Sequence, residues 1–103
     1  MSEEFFLTIQ RAVANGDYKI TEHAIEEAEK DLLLLLEIKE AILTGELIED
    51  YPEDRRGHSC LVLGYSEGKA IHIVCGMRGQ KAIIITVYCP DSDEWISDRE
   101  RRK

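Results

Sequence analysis

The sequence lacks the features that mark membrane proteins, secreted proteins and the commonest cofactor-binding sites. No apolar run approaches the about 18 residues of a membrane-spanning helix, and the first residues, MSEEFF, are acidic rather than basic. The P-loop, GxGxxG, HExxH and GxSxG motifs do not occur. We therefore expect a cytoplasmic protein that binds no cofactor and no metal and does not contact a membrane.

The three cysteines, Cys60, Cys75 and Cys89, each fall in a predicted strand, and no two of them form a CxxC pair. An odd number of cysteines without a secretory signal indicates reduced thiols. We interpret all three as buried structural residues rather than as metal ligands or nucleophiles.

Basic residues are in deficit, since 13 Lys and Arg face 21 Asp and Glu, for a net charge of −8. From Glu22 to Glu53 there are eleven acidic residues and two lysines, a local charge of −9. Nucleic-acid affinity comes mostly from Lys and Arg that neutralise phosphates, so RNA is disfavoured as a partner. Only the last five residues, 99–103, are mostly basic. This tail is either a contact for a nucleic acid or an acidic partner, or a frayed charged terminus.

What the sequence does contain is a dense β pattern between Leu61 and Cys89. Val, Ile, Leu and Tyr dominate three segments, which are joined by glycine-containing turns at residues 66–68 and 78–80. Three-residue turns with glycine are typical of antiparallel hairpins. With these turns, His72 lies opposite Thr86 on the neighbouring strand.

The two faces of this predicted meander differ in chemistry. The odd-numbered residues of its second and third strands are almost purely apolar and form the core face. The even-numbered residues form a mixed face that carries His72, Thr86 and Tyr88. The sequence therefore predicts one buried face and one face on which polar chemistry is available.

Two amphipathic helices precede the meander. The first covers about residues 2–15 and the second about residues 21–44, with an extended link at residues 17–20 between them. A further strand follows at residues 46–51. The residues thus predict a single α+β domain, 1–103, with two N-terminal helices packed on an antiparallel sheet of about four strands.

Five consecutive leucines, Leu32 to Leu36, interrupt the one-sided pattern of the second helix. Five successive residues cover the whole circumference of a helix, whereas a single sheet buries only one side. Leu33, Leu34 or Leu36 must therefore pack against the first helix, lie at a break in the second helix, or contact another chain. The leucine run therefore has two interpretations. It is either an interface for self-association or for a partner helix, or it packs internally.

Three histidines are the side chains whose ordinary pKa lies nearest neutrality. His72 on the mixed face, near Tyr88, is a candidate for general acid–base chemistry, or else a half-buried residue bonded to Thr86. His23, in the first turn of the second helix, is either a proton-transfer group or a residue that packs at the helix end. His58, in a charged loop, is expected to be solvated.

Several short stretches resemble a known bacterial family, domain of unknown function 4258, which is grouped with the RelE/ParE-like toxin folds. The stretches that carry the resemblance are TEHA (21–24), AILTGELIEDYPEDRRGHSCLVLG (41–64), AIHIV (70–74) and ITVYCPDSDEW (85–95). The resemblance implies N-terminal helices on a curved antiparallel sheet. It also implies a toxin of a toxin–antitoxin pair, typically an RNA-cleaving enzyme that is neutralised by a bound antitoxin.

The family's motifs fall on particular residues of this chain. The histidine of its HA motif corresponds to His23, and the histidine of its strand motif corresponds to His72. Glu27 and Asp31 occupy positions at which the family usually has arginine. Residues 32–34, all leucine, replace a Gly-Ile-Ser break, which predicts a second helix that continues without interruption.

Two functions are compatible with these residues. A RelE-like ribonuclease needs a base, an acid and a cation. The catalytic candidates are His72, His23 and Tyr88, and the substrate-binding candidates are Thr86, Arg99 and Arg101. The alternative is a non-catalytic module that dimerises or binds an antitoxin or another partner helix, which the acidic charge favours. Its partner-binding candidates are Leu33, Leu34 and Leu36. A small-molecule or metal site on the mixed face has no supporting motif.

Overall fold

A computed structural model describes residues 2–91 and 93–101 of the chain. Its helices and strands, in chain order, are α1 (Ser2–Ala14), β1 (Tyr18–Ile20), α2 (Glu22–Lys30), α3 (Leu35–Thr44), β2 (Glu46–Tyr51), β3 (Ser59–Ser66), β4 (Lys69–Arg78), β5 (Lys81–Tyr88), β6 (Trp95–Ile96) and β7 (Glu100–Arg101). None of the helices in these residues has both the length and the apolar character to cross a membrane. The α+β class predicted from the sequence is confirmed.

The main sheet has five strands in the order β1-β5-β4-β3-β2, where about four were predicted. The difference is β1: the predicted link at residues 17–20 includes a short edge strand, which pairs in parallel with β5. The other pairings in this sheet are antiparallel. Strands β6 and β7 form a separate two-stranded unit, which we call the C-terminal hairpin.

The hydrophobic core lies between the helices and one face of the sheet. Buried core residues on β4 include Ile71, Ile73 and Cys75, so the odd-numbered face is the core face, as predicted for this strand. Helix α3 lies unusually close to β3, because a Cβ atom on Gly64 would lie 2.2 Å from the carbonyl oxygen of Ala41. Only glycine permits the two backbones to approach so closely.

The second helix is not continuous, so the described residues form three helices where two were predicted. Helix α2 ends in a Schellman motif, in which the N–H of Leu33 donates to the carbonyl of Ala28 and the N–H of Leu32 donates to the carbonyl of Glu29, at 2.8 and 3.2 Å. Leu32 occupies the position that glycine usually takes, with φ of 55°. The backbone therefore turns without the residue that signals such a turn in a sequence.

The register of the meander also differs from the prediction. Both turns have two residues, Glu67-Gly68 and Gly79-Gln80, and a bulge in β5 lies opposite the step from Val74 to Cys75. Two-residue turns suit the right-handed twist of paired strands. The bulge directs Ile84 into the core, although it was predicted on the mixed face.

Candidate functional site

The face of the sheet opposite the helices is covered by the C-terminal hairpin, and His72 lies beneath it. Tyr88, rather than Thr86, is the residue directly opposite His72 on β5. The side chain of His72 is completely buried, and Trp95 is 3% exposed. The indole of Trp95 meets the imidazole edge-on, with 4.4 Å between the ring centroids. The mixed face is therefore a second, smaller interior rather than an open surface.

Both nitrogens of His72 have hydrogen-bond partners. Nε2 lies 2.7 Å from the carbonyl oxygen of Asp98, and Nδ1 lies 3.2 Å from the hydroxyl oxygen of Tyr88. A carbonyl oxygen only accepts, so Nε2 carries the proton and donates it, and in the neutral ring Nδ1 accepts from the tyrosine. Burial lowers the pKa of His72 below its ordinary value, which favours this neutral form.

The two arginines of the C-terminal hairpin bind acidic side chains of β2. Arg99 pairs with Glu46, and Arg101 pairs with Glu49 at 3.1 Å, while the Arg101 guanidinium also lies 4.6 Å from the centroid of the Trp95 ring. Glu46 and Glu49 are paired with β3 residues whose side chains share the face of His72. The hairpin is thus held by one buried aromatic ring, one histidine hydrogen bond and two ion pairs.

Tyr51 completes the contact between β2 and the C-terminal hairpin. Its hydroxyl bonds the carboxylate of Glu49 and lies 3.4 Å from a guanidinium nitrogen of Arg101. Burial, together with the hydrogen bond to Glu49, raises the pKa of Tyr51 to about 12. The hydroxyl therefore stays protonated and donates to the carboxylate across the neutral pH range.

The structure brings together only part of the predicted catalytic set. His72 and Tyr88 are in direct contact, and Thr86 shares their face, opposite Val74. His23 is exposed on α2, a helix that packs on the other side of the sheet, so it is separated from His72. Within the described ranges, no group of three His, Cys, Asp or Glu side chains is arranged to hold a metal ion.

Two further predictions about polar residues are wrong. The hydrogen bond of His72 goes to Tyr88 and to the backbone of Asp98, not to Thr86. His58, expected to be solvated, stacks on Phe5 with 3.7 Å between ring centroids and a 4° interplanar angle, and it also bonds Asp50. Both differences arise from contacts between residues that are distant in the sequence.

Four residues around His72 were not predicted as parts of a site. Asp98, Glu49 and Tyr51 are polar residues that the fold, not the sequence order, places near the imidazole or near Arg101. Trp95 offers the one usable signal, because it is the only tryptophan in the chain and lies in an otherwise polar C-terminal segment. Such an isolated large aromatic is typical of a residue that anchors a segment on an apolar surface.

A second candidate site lies on the helical side, where an open apolar groove of about 250 Å³ runs between α2 and α3. All of its lining side chains are apolar: Ile20, Ala24, Ile25, Ala28, Leu33, Leu35 and Ile38. Ile25 and Leu35 are nearly half exposed. The volume is below the roughly 300–1,000 Å³ of small-molecule pockets, so the groove suits a few side chains rather than a whole ligand.

The leucine run divides between the interior and the surface. Leu33 is buried in the core and forms part of the groove. Leu34 and Leu36 are 67% and 75% exposed, and Leu32 is 81% exposed. Of the three predicted partner-binding leucines, Leu34 and Leu36 are therefore on the surface, and Leu33 is buried and lines the groove.

The fold, a three-helix layer on a mostly antiparallel five-stranded sheet, is that of a small α+β protein with two separate apolar layers. The chain belongs to the family described as Domain of unknown function (DUF4258), which matches residues 20–89. This range includes the groove and His72 but ends before the C-terminal hairpin. Neither a curated protein nor a solved structure matches the chain.

Proposed function

We propose that this protein is a non-catalytic, RelE-like interaction module that binds a helix of a partner protein in the groove between α2 and α3. The observation that carries the proposal is the contrast between the two candidate sites. The groove is open and entirely apolar, and two of its lining residues, Ile25 and Leu35, are nearly half exposed. The histidine site is closed by the chain's own C-terminal hairpin.

The closed histidine site supports a binding function over RNA cleavage. A phosphodiester would have to approach His72 and a cation at the same time. The imidazole is fully buried and has both nitrogens bonded, while Arg99 and Arg101 already pair with Glu46 and Glu49. The net charge of −8 further opposes the approach of a polyanion.

The exposed leucines supply the driving force for a partner. Fully burying a leucine side chain contributes about 1.5–3 kcal/mol. Leu32, Leu34 and Leu36 each expose two thirds or more of their side chains, and Ile25 exposes about half. Large apolar side chains exposed in this number are typical of a protein–protein contact. Ile25 and Leu35 lie on the groove itself, whereas Leu34 and Leu36 line a separate hollow. A helix that lies in the groove buries Ile25 and Leu35, which the isolated chain leaves nearly half exposed.

Backbone strain in the same segment supports the same function. Leu32 adopts a left-handed conformation, which costs a residue with a Cβ atom about 1–2 kcal/mol. Glycine would relieve this strain and would also remove the exposed side chain. Residues held in such conformations are concentrated at functional sites.

The experiment is co-purification of the tagged protein from the organism that encodes it, with Ile25→Glu as the test and Leu7→Glu as the matched control. Leu7 is an apolar residue of similar exposure that does not line the groove. We expect a partner that is retained by the wild type and by Leu7→Glu, is lost in Ile25→Glu, and re-forms the complex from purified components. A partner that both variants retain would place its binding site elsewhere.

A second candidate function, the ribonuclease of a toxin–antitoxin pair, is favoured by one observation, the 3.2 Å contact between His72 and Tyr88. This pair supplies a proton donor and acceptor, provided that the C-terminal hairpin leaves the site. Expression of Trp95→Ala or Arg101→Glu, which weaken the hairpin, would then arrest growth, and adding His72→Ala would relieve the arrest. Unimpaired growth with both single variants would rule this function out.

A further inference from the structure

The border of the groove on α2 is acidic. Glu22 and Glu29 lie three residues before and four residues after Ile25, so they are its neighbours on the helix surface. Glu26 lies four residues after Glu22 and three before Glu29, so the three glutamates form one row on the helix surface. All three side chains are exposed, and none forms an ion pair with another residue in the described part of the chain. A row of three carboxylates without a direct ion-pair partner therefore runs along one side of the apolar groove.

The opposite border, on α3, differs in charge. Lys39 lies one helical turn after Leu35, and its ammonium group lies 5.5 Å from the centroid of the Tyr18 ring. No acidic side chain takes part in this contact. The two borders of the groove are thus unequal, with negative charge on the α2 side and a lysine on the α3 side.

This asymmetry selects among possible occupants. A second copy of the chain, with a net charge of −8, would meet another acidic surface, and a nucleic acid would be repelled by the carboxylates. A helix with an apolar stripe and a flanking row of Lys or Arg would bury its stripe in the groove and face the carboxylates with its cations.

We propose, on the basis of the function proposed above, that the occupant of the groove is a basic amphipathic helix of another protein. Its cationic flank lies along Glu22, Glu26 and Glu29 on the α2 side. Its apolar residues, spaced by three and four, enter the groove over Leu33. The charges fix the direction in which the helix lies across the groove, and the leucines hold it there.

The proposal is tested with two synthetic amphipathic peptides of about 18 residues, long enough to form a helix. Both carry leucines at every third or fourth position, and they differ only in a flank of lysines or of glutamates. Binding to the full-length protein is measured by fluorescence anisotropy. We expect the lysine peptide to bind and to weaken several-fold at high salt, and the glutamate peptide not to bind.

Variants of the protein separate the groove from its charged border. The triple change Glu22→Gln, Glu26→Gln and Glu29→Gln should weaken binding of the lysine peptide at least tenfold. As a control, Glu3, Glu4 and Glu53 are changed to glutamine together; this removes the same charge from exposed positions that do not line the groove, and it should leave the affinity within about twofold. Circular dichroism of both triple variants checks that the helices are retained.

The outcomes distinguish this inference from the function on which it rests. If both peptides bind equally well and Ile25→Glu abolishes the binding, the groove is a helix site but its partner is not selected by basic charge. If neither peptide binds, both proposals are wrong. If the two triple variants weaken the lysine peptide equally, the attraction is a property of net charge and the inference is overturned.

Discussion

The indole of Trp95 stands perpendicular to the imidazole of His72, at an interplanar angle of 88°. Twenty-two residues lie between them in the sequence, yet this contact closes the second face of the sheet. Edge-to-face rings of this kind contribute about 0.5–1.5 kcal/mol beyond the apolar area that they bury. The C-terminal hairpin is too short to be stable alone, so its position depends on this contact and on its bonds to β2.

We expect the change Trp95→Ala to expose His72. Removing the indole deletes the only large apolar side chain that the hairpin buries against the sheet, and the loss of a buried tryptophan costs about 3–5 kcal/mol. The measurement is acylation of histidine by diethyl pyrocarbonate, mapped by mass spectrometry. Exposed His23 reacts in both proteins and is the internal control, whereas His72 reacts only in the variant. Equal reaction of His72 in the wild type would show that the hairpin does not cover it.

The stability of the protein should fall as the pH is lowered below about 6.5. Burial lowers the pKa of His72 in the folded state, whereas the unfolded chain has the ordinary value of 6.5. The unfolded state therefore binds more protons in the window between the two values, so the contribution is complete above 6.5 and is lost as the pH falls towards the folded-state pKa.

The slope from this one histidine is at most about 1.4 kcal/mol per pH unit. Urea unfolding of the wild type and of His72→Gln, measured across this pH window, separates the contribution of His72 from that of the other two histidines. The wild type should lose more stability on acidification than the variant. Parallel pH profiles for the two proteins would mean that His72 does not titrate differently on folding.

Leu32→Gly should be more stable than Leu32→Ala by about 1 kcal/mol. Both changes remove an exposed side chain, and only glycine also removes the cost of the left-handed conformation. Urea unfolding of the two variants is the measurement. Leu36 provides the comparison, because it is an exposed residue within helix α3 and its glycine variant should be less stable than its alanine variant. An advantage for glycine at both positions would show that the effect is not specific to the turn.

Gly64→Ala should destabilise the fold by at least about 1–3 kcal/mol, the usual cost of overpacking. The new methyl group would collide with the backbone of Ala41, which cannot move without shifting α3 away from the sheet. Thermal unfolding measures the loss. At Gly16, where an added Cβ meets nothing within 4 Å, the same substitution tests the left-handed backbone alone, with φ of 80°. A Gly64→Ala protein as stable as the wild type would contradict the close approach.

The sequence was sufficient for the fold class, the positions of most strands and the core face of β4. Alternation along β4 identified His72 as a residue of the face opposite the helices, because side chains of a strand alternate regardless of its partner. The prediction that Tyr88 shares this face is also confirmed. These features depend on local pattern alone.

The remaining features depend on contacts that a local pattern does not contain. The turn at Leu32 has the hydrogen bonds of a Schellman motif without its glycine, so the usual signal for the end of a helix is missing. The register between β4 and β5 depends on the bulge in β5, and no residue type in the sequence indicates that bulge. The C-terminal hairpin was not predicted, because its arginines are typical of a solvated tail until Glu46 and Glu49 are known to face them.

Both lateral edges of the five-stranded sheet are poor templates for another strand. One edge is β1, which has only three residues, and the other is β2, which is interrupted by a bulge after Leu47 and carries Glu46, Glu49 and Asp50. Short, irregular and charged edges discourage β-augmentation and amyloid-like stacking. A partner is consequently directed away from backbone pairing and towards side-chain recognition on the helical layer.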